Sequence, residues 1–202
     1  MTGLTPTPSS DTLERRFSDF ATLGVALDYA AQGARGLNFH DMRGELARPY
    51  PFREMRSDAM DVAYRLISHG VKKEDRIALI AETGPEFAAL FFGCVYAGAW
   101  PVPLPLPTSF GGKESYIDQL SVQLNSCDPS ILFFPPELAE MAGEAATKCG
   151  VEGVNWAEFN DRIALKTDLP QATTDEICYL QYSSGTTGCP HGVAVTHTAM
   201  TN

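Results

Sequence analysis

Residues 183–192 read Ser-Ser-Gly-Thr-Thr-Gly-Cys-Pro-His-Gly, a dense run of hydrogen-bond donors. Gly185, Gly188 and Gly192 let the backbone turn its amides inward, and the hydroxyls of Ser183, Ser184, Thr186 and Thr187 add further donors. Donors at that density suit the oxygens of a polyphosphate, held by local dipoles rather than by net charge. His191 brings an imidazole whose charge depends on pH. The spacing is neither Gly-x4-Gly-Lys-[Ser/Thr] nor Gly-x-Gly-x-x-Gly, and the residues that follow read as a strand, so no helix dipole points at the loop. By composition alone the stretch is equally a long hairpin turn. Cys189 and His191 resemble a thiol–imidazole pair, yet Pro190 fixes the backbone between them and no orienting carboxylate is evident. Gly-x-Ser-x-Gly, the usual hydrolase elbow, does not occur. His197 reads as a strand end or helix start rather than a ligand.

The loop must be held by its flanks. Residues 177–182 form an apolar run expected to be a buried strand, and residues 193–197 leave the loop as another. Upstream, a helix fits Leu23, Ala26, Leu27, Ala30 and Ala31, with Thr22 as its cap and Gly33 as its stop. Residues 37–41 read as a short strand followed by a turn at 42–45. The stripe Phe52, Met55, Ala59, Val62, Ala63, Leu66 and Ile67, opened by Pro51 and closed by Gly70, predicts an amphipathic helix. Strands at 76–81, from 99 and at 131–134 then alternate with helices at 86–98, 113–126 and 137–148. That alternation predicts an α/β fold with a mainly parallel sheet and flanking helices. The helix at 86–98 lacks a polar face, so Phe91 or Phe92 is expected to be buried. The prolines from Pro101 to Pro107 recur at every second residue and suggest an extended edge segment. Residues 1–12 read as a flexible tail, 150–174 as irregular, and 13–202 as one partial domain.

Composition excludes several function classes. The 202 residues are 44% hydrophobic and 20% charged, which fits neither a disordered nor a fibrous chain. A formal charge of −10 repels a nucleic-acid backbone. The cysteine spacing fits no zinc or thioredoxin-type pattern, and the odd count of 5 suggests reduced thiols. No secretory signal opens the chain, so a cytoplasmic location is expected. Residues 87–112 carry no charge, but the part able to be helical, 86–99, would reach about 21 Å, short of the ~30 Å of a hydrocarbon core.

The order of residues adds what composition lacks. Tyr182-Ser-Ser-Gly-Thr-Thr-Gly-x-Pro-x-Gly-Val resembles the phosphate-binding signature of the acyl-adenylate-forming superfamily. Upstream, Ala26-Leu-Asp-Tyr-Ala-Ala, Gly36-Leu-Asn-Phe, Asp75-Arg-Ile-Ala-Leu-Ile-Ala-Glu-Thr, Phe91-Phe-Gly-Cys-Val-Tyr-Ala-Gly, the segment opening at Pro101 and Tyr116-Ile-Asp-Gln-Leu are similar to the N-terminal part of fatty acyl-AMP ligases. The resemblance covers about residue 17 to the end. It implies ATP and magnesium as cofactors, a fatty acid as substrate and a carrier-protein thiol as the usual acceptor. It also implies that Ser183, Ser184, Gly185, Thr186, Thr187, Gly188, His191 and Gly192 cradle the β- and γ-phosphates. Many relatives carry Lys at the position of His191. Their adenine pocket, magnesium-handling acid, ribose-binding aspartate, hinge and C-terminal catalytic lysine match nothing up to Asn202, so the resemblance implies an N-terminal fragment, inactive alone, with no catalytic residue of its own. An acyl-CoA ligase and a non-catalytic folding or partner-binding domain are the rival readings.

Overall fold

A computed structural model describes residues 13–17, 19–108, 112–183 and 191–201. The tail at 1–12 lies outside the described residues.

At the centre is a parallel sheet of β3 (Arg76–Ile80), β4 (Trp100–Leu104), β5 (Ile131–Phe134) and β6 (Glu152–Asn155), in the order β4-β3-β5-β6. β3 and β5 are short apolar runs because both faces are covered, and the pleat divides each of them between two cores. Ile77, Leu79, Ile131 and Phe133 enter one core, with Leu66, Leu90 and Phe159. Ala78, Ile80, Leu132 and Phe134 enter the other, with Leu120, Leu124 and Ala145. The first core is roofed by α2 (Phe52–Ser68), α3 (Pro85–Tyr96) and α6 (Trp156–Asn160), the second by α4 (Gly112–Cys127) and α5 (Ala139–Cys149). The chain leaves β3 for β4 on one side and returns to place β5 on the other. The carboxyl edge between β3 and β5 is therefore a topological switch point, where open α/β sheets place ligands.

Local chemistry sets the helix ends. Thr22 Oγ1 accepts the Val25 N–H at 3.3 Å and starts α1 (Leu23–Ala30). Pro85 occupies the first turn of α3, and Gly150, at φ +69°, ends α5 in the left-handed region. Pro51 caps α2 from just outside it rather than opening it. β4, with Pro101 and Pro103, is an edge strand, where missing N–H donors cost no ladder bonds.

Residues 46–51, for which the sequence set no strand, form β2 (Leu46–Pro51), which pairs antiparallel with β1 (Gly36–His40). Two expectations change. Residues 150–174 hold β6 and α6, which are ordered by pairing with β5 and by Asn155 Oδ1 accepting the Ala157 N–H at 2.9 Å. On α3 the buried residues are Ala89, Leu90, Gly93, Cys94 and Val95, whereas Phe91 and Phe92 are only half-buried. Phe91 leans on Tyr179 and Phe92 on the small cluster of Leu27, Tyr50 and Met55. Close helix packing decides this. A Cβ on Gly93 would overlap Val62, so the glycine brings the α3 backbone against α2 and turns both rings to the flanks.

Candidate functional site

The donor-rich loop is carried by β7 (Ile177–Ser183) and β8 (His191–Thr196). These pair antiparallel with each other, with Ser183 opposite His191 and Tyr182 opposite Gly192. The two strand ends thus bring Ser183, His191 and Gly192 together across one ladder. Ser184, Gly185, Thr186, Thr187 and Gly188, with Cys189 and Pro190, lie outside the described residues.

β7 lies beside β4 and runs the same way along it. At its start, Ile177 and Cys178 share a small cleft with Trp100. At its end, Tyr182 packs on the core of Leu104, Tyr116 and Leu120. The loop therefore leaves the hairpin at the carboxyl edge of the parallel sheet, the edge that holds the switch point. Among the described residues no group of three or more His, Cys, Asp or Glu could hold a metal ion.

Tyr182 is the residue that fixes the loop's base. Its hydroxyl donates to Ser126 Oγ at 2.9 Å, tying β7 to α4, and burial raises its pKa. Its ring lies over Gly192, where a Cβ would come within 3.2 Å of Cζ. A side chain at 192 would thus have to move the facing tyrosine ring by a few tenths of an ångström. Ser126 has no sequence signal, because its partner stands 56 residues away.

The hairpin's other end is equally anchored. His197 opens α7 (His197–Thr201), as a helix start, and is 2% exposed. Its Nδ1 accepts the Leu23 N–H at 3.2 Å, and its own N–H donates to the Glu176 carbonyl at 3.1 Å. The Glu176 carboxylate accepts from Lys73 Nζ at 2.6 Å, which lowers the Glu176 pKa. Burial lowers the His197 pKa against the smaller opposing pull of Glu176. At the carboxyl edge, Glu82 follows β3 half-buried, and burial, then Glu137 and Glu86, raise its pKa. Cys94, Cys127, Cys149 and Cys178 are free thiols. No helix among the described residues is long and apolar enough to cross a membrane.

Comparison with known proteins agrees with the fold. The family model for AMP-binding enzymes matches residues 39–202. A "Putative acyl-CoA synthetase" of Caulobacter vibrioides is 42% identical over 98% of this chain and 34% of its own length. The medium-chain-fatty-acid–[acyl-carrier-protein] ligase JamA of Moorena producens is 29% identical over 89% of this chain and 31% of its own. A structure from a study of fatty acyl-adenylate ligases from E. coli and L. pneumophila is 37% identical, with a TM-score of 0.87 over 92% of this chain and 34% of that chain. The chain spans about a third of the length of these relatives.

Proposed function

Because this chain belongs to the AMP-binding enzyme family, we propose that it is the phosphate-holding part of a fatty acyl-AMP ligase. In the reaction a fatty acid's carboxylate oxygen bonds to the α-phosphorus of ATP, the bond from that phosphorus to the bridging oxygen breaks, and pyrophosphate leaves. The observation that carries this reading is the likeness at 37% identity and TM-score 0.87 to a structure from work on fatty acyl-adenylate ligases.

The chain's share of the work is electrostatic. Amides of Gly185, Gly188 and Gly192 and the hydroxyls of Ser183, Ser184, Thr186 and Thr187 hold the β- and γ-phosphates as charge builds on them. The His191 imidazolium adds to that hold in its protonated form. Tyr182, braced by Ser126, positions the strand end that carries these donors. Magnesium, entering with ATP, would share the charge of the leaving pyrophosphate. The thiol sulfur of a carrier protein then bonds to the acyl carbon, the bond from that carbon to the phosphate oxygen breaks, and AMP leaves as the thiol gives up its proton; a carrier is the acceptor that the name of the Moorena relative also indicates.

The test is fatty-acid-dependent exchange of labelled pyrophosphate into ATP by a longer protein containing this chain, followed by offering coenzyme A or a holo carrier protein as acceptor. Exchange with transfer to the carrier supports the proposal. Transfer to coenzyme A assigns an acyl-CoA ligase, which the Caulobacter relative's name favours. No exchange overturns both. The 202-residue chain by itself is expected to release no pyrophosphate above background.

A further inference from the structure

A 590 Å³ cleft opens between the first turn of α1, the middle of α2, the end of α3 and residues 167–172. It lies at the far end of the β7–β8 hairpin from the donor-rich run. Thr196, which precedes His197, pairs with Ile177, whereas His191 pairs with Ser183, roughly 20 Å along the strands. The walls are partly apolar, with Met60, Val95, Leu169 and Ala172 among them.

Two donors at the cleft are left over. α1 starts there, and Thr22 and Gly24 line it. The Leu23 N–H donates to His197 Nδ1 at 3.2 Å and the Val25 N–H to Thr22 Oγ1 at 3.3 Å, but the Gly24 N–H has no acceptor among the described residues. His197 borders the same cleft, although it is 2% exposed. Because its Nδ1 accepts, the ring proton sits on Nε2, and that N–H also has no acceptor among the described residues. A helix start and a buried ring thus bring donors to one cavity, at the positive end of the α1 dipole. Unmet donors in a sheltered place cost free energy that a ligand's oxygens would recover. Arg56 lines the cleft as well, and its Nε donates at 2.6 Å to Asp28 Oδ1, the oxygen that Tyr96 Oη also holds at 2.8 Å.

We infer that this cleft binds a small monocarboxylate with an apolar tail, its oxygens on the Gly24 N–H and the His197 Nε2–H, its charge beside Arg56 and its tail along Met60, Val95 and Leu169. Two acids narrow the class. Asp28 and Asp168 also line the cleft, and with the chain's −10 they oppose a dianion such as phosphate more than a single carboxylate. An uncharged amide with the same tail would fit the walls but gain less from the helix dipole and Arg56. The site stands apart from the proposed fatty-acid activation, and no step of that reaction runs through it.

The test titrates sodium hexanoate, hexanamide and sodium phosphate separately into the ¹⁵N-labelled 202-residue chain, without ATP. Saturable hexanoate shifts centred on the Gly24 amide and the His197 Nε2–H, with hexanamide and phosphate about tenfold weaker or more, support the inference. Val25→Asp, at an exposed position lining the cleft, sets a like charge in the first turn of α1, where an acid suits the helix. It should leave the spectrum elsewhere unchanged and weaken hexanoate about tenfold. A cleft that holds only water would give no hexanoate shifts, and that result overturns the inference. So do shifts that leave Gly24 and His197 unmoved, equal binding of hexanamide or phosphate, or undiminished binding to a folded Val25→Asp. Should that variant fail to fold, the comparison of the three ligands on wild type still decides.

Discussion

The Nδ1 of His197 accepts the backbone N–H of Leu23 at 3.2 Å, joining positions 174 residues apart. An accepting Nδ1 places the ring proton on Nε2, so the bond exists only in the neutral imidazole. It ties the first turn of α1 to the foot of the β7–β8 hairpin.

This bond predicts a pH dependence. Burial, opposed by the smaller effect of Glu176, sets the folded pKa of His197 below its unfolded value near 6.5. Its contribution to stability is then complete above about pH 6.5 and declines as pH falls through the lowered folded value. Lys73 holds Glu176 charged throughout this window. The urea midpoint of wild type should drop across mildly acidic pH more steeply than that of His197→Gln, which keeps an acceptor but does not titrate. Equal slopes would reject the account.

At the α2–α3 contact, a Cβ on Gly93 would lie 2.6 Å from Val62 Cβ. Gly93→Ala should cost about 1–3 kcal/mol through overpacking. Gly143→Ala on α5, with nothing within 4 Å of the new methyl, should be neutral or stabilise by about 0.5–1 kcal/mol. Thermal unfolding of the two variants makes the comparison.

Half-burial of Phe91 and Phe92 sets another ranking. Leu79→Ala, at a fully buried site, should cost about 2–5 kcal/mol, and Phe92→Ala less than the 3–5 kcal/mol expected of a buried ring. Urea midpoints decide the order.

Gly192→Ala must push the Tyr182 ring from a 3.2 Å approach. In a longer enzyme it should raise the KM for ATP, and Tyr182→Leu in the same molecule should restore part of the loss. Tyr182→Phe, which loses only the hydrogen bond to Ser126, should cost about 1 kcal/mol of stability.

If the His191 imidazolium contacts phosphate, anion binding raises its pKa and affinity falls as pH rises. Calorimetric titration of a longer enzyme with ATP from mildly acidic to mildly basic pH should show His191→Lys retaining tight binding to higher pH and His191→Ala losing the imidazole-dependent part. Phosphate titration is common to all three proteins, so identical profiles would make His191 a solvated loop residue.

Much of the architecture is written locally. The apolar runs of β3 and β5, the stripe of α2 and the Gly84-Pro85 start of α3 are readable because periodicity and backbone chemistry act over a few residues. The two strands that flank the donor-rich run are readable for the same reason. β2 is hidden by Pro49 and Pro51, which oppose a strand until β1 pairs with it. β6, a mere Glu-Gly-Val-Asn, has little propensity of its own and depends on β5. The half-burial of Phe91 and Phe92 follows from a glycine meeting Val62 on another helix. The partnership of Tyr182 with Ser126, and of His197 with Leu23, depends on which distant segments share a surface. Side-chain type and short spacing decide what an element is, but burial and hydrogen-bond partners depend on contacts between distant segments, which only the packed chain defines.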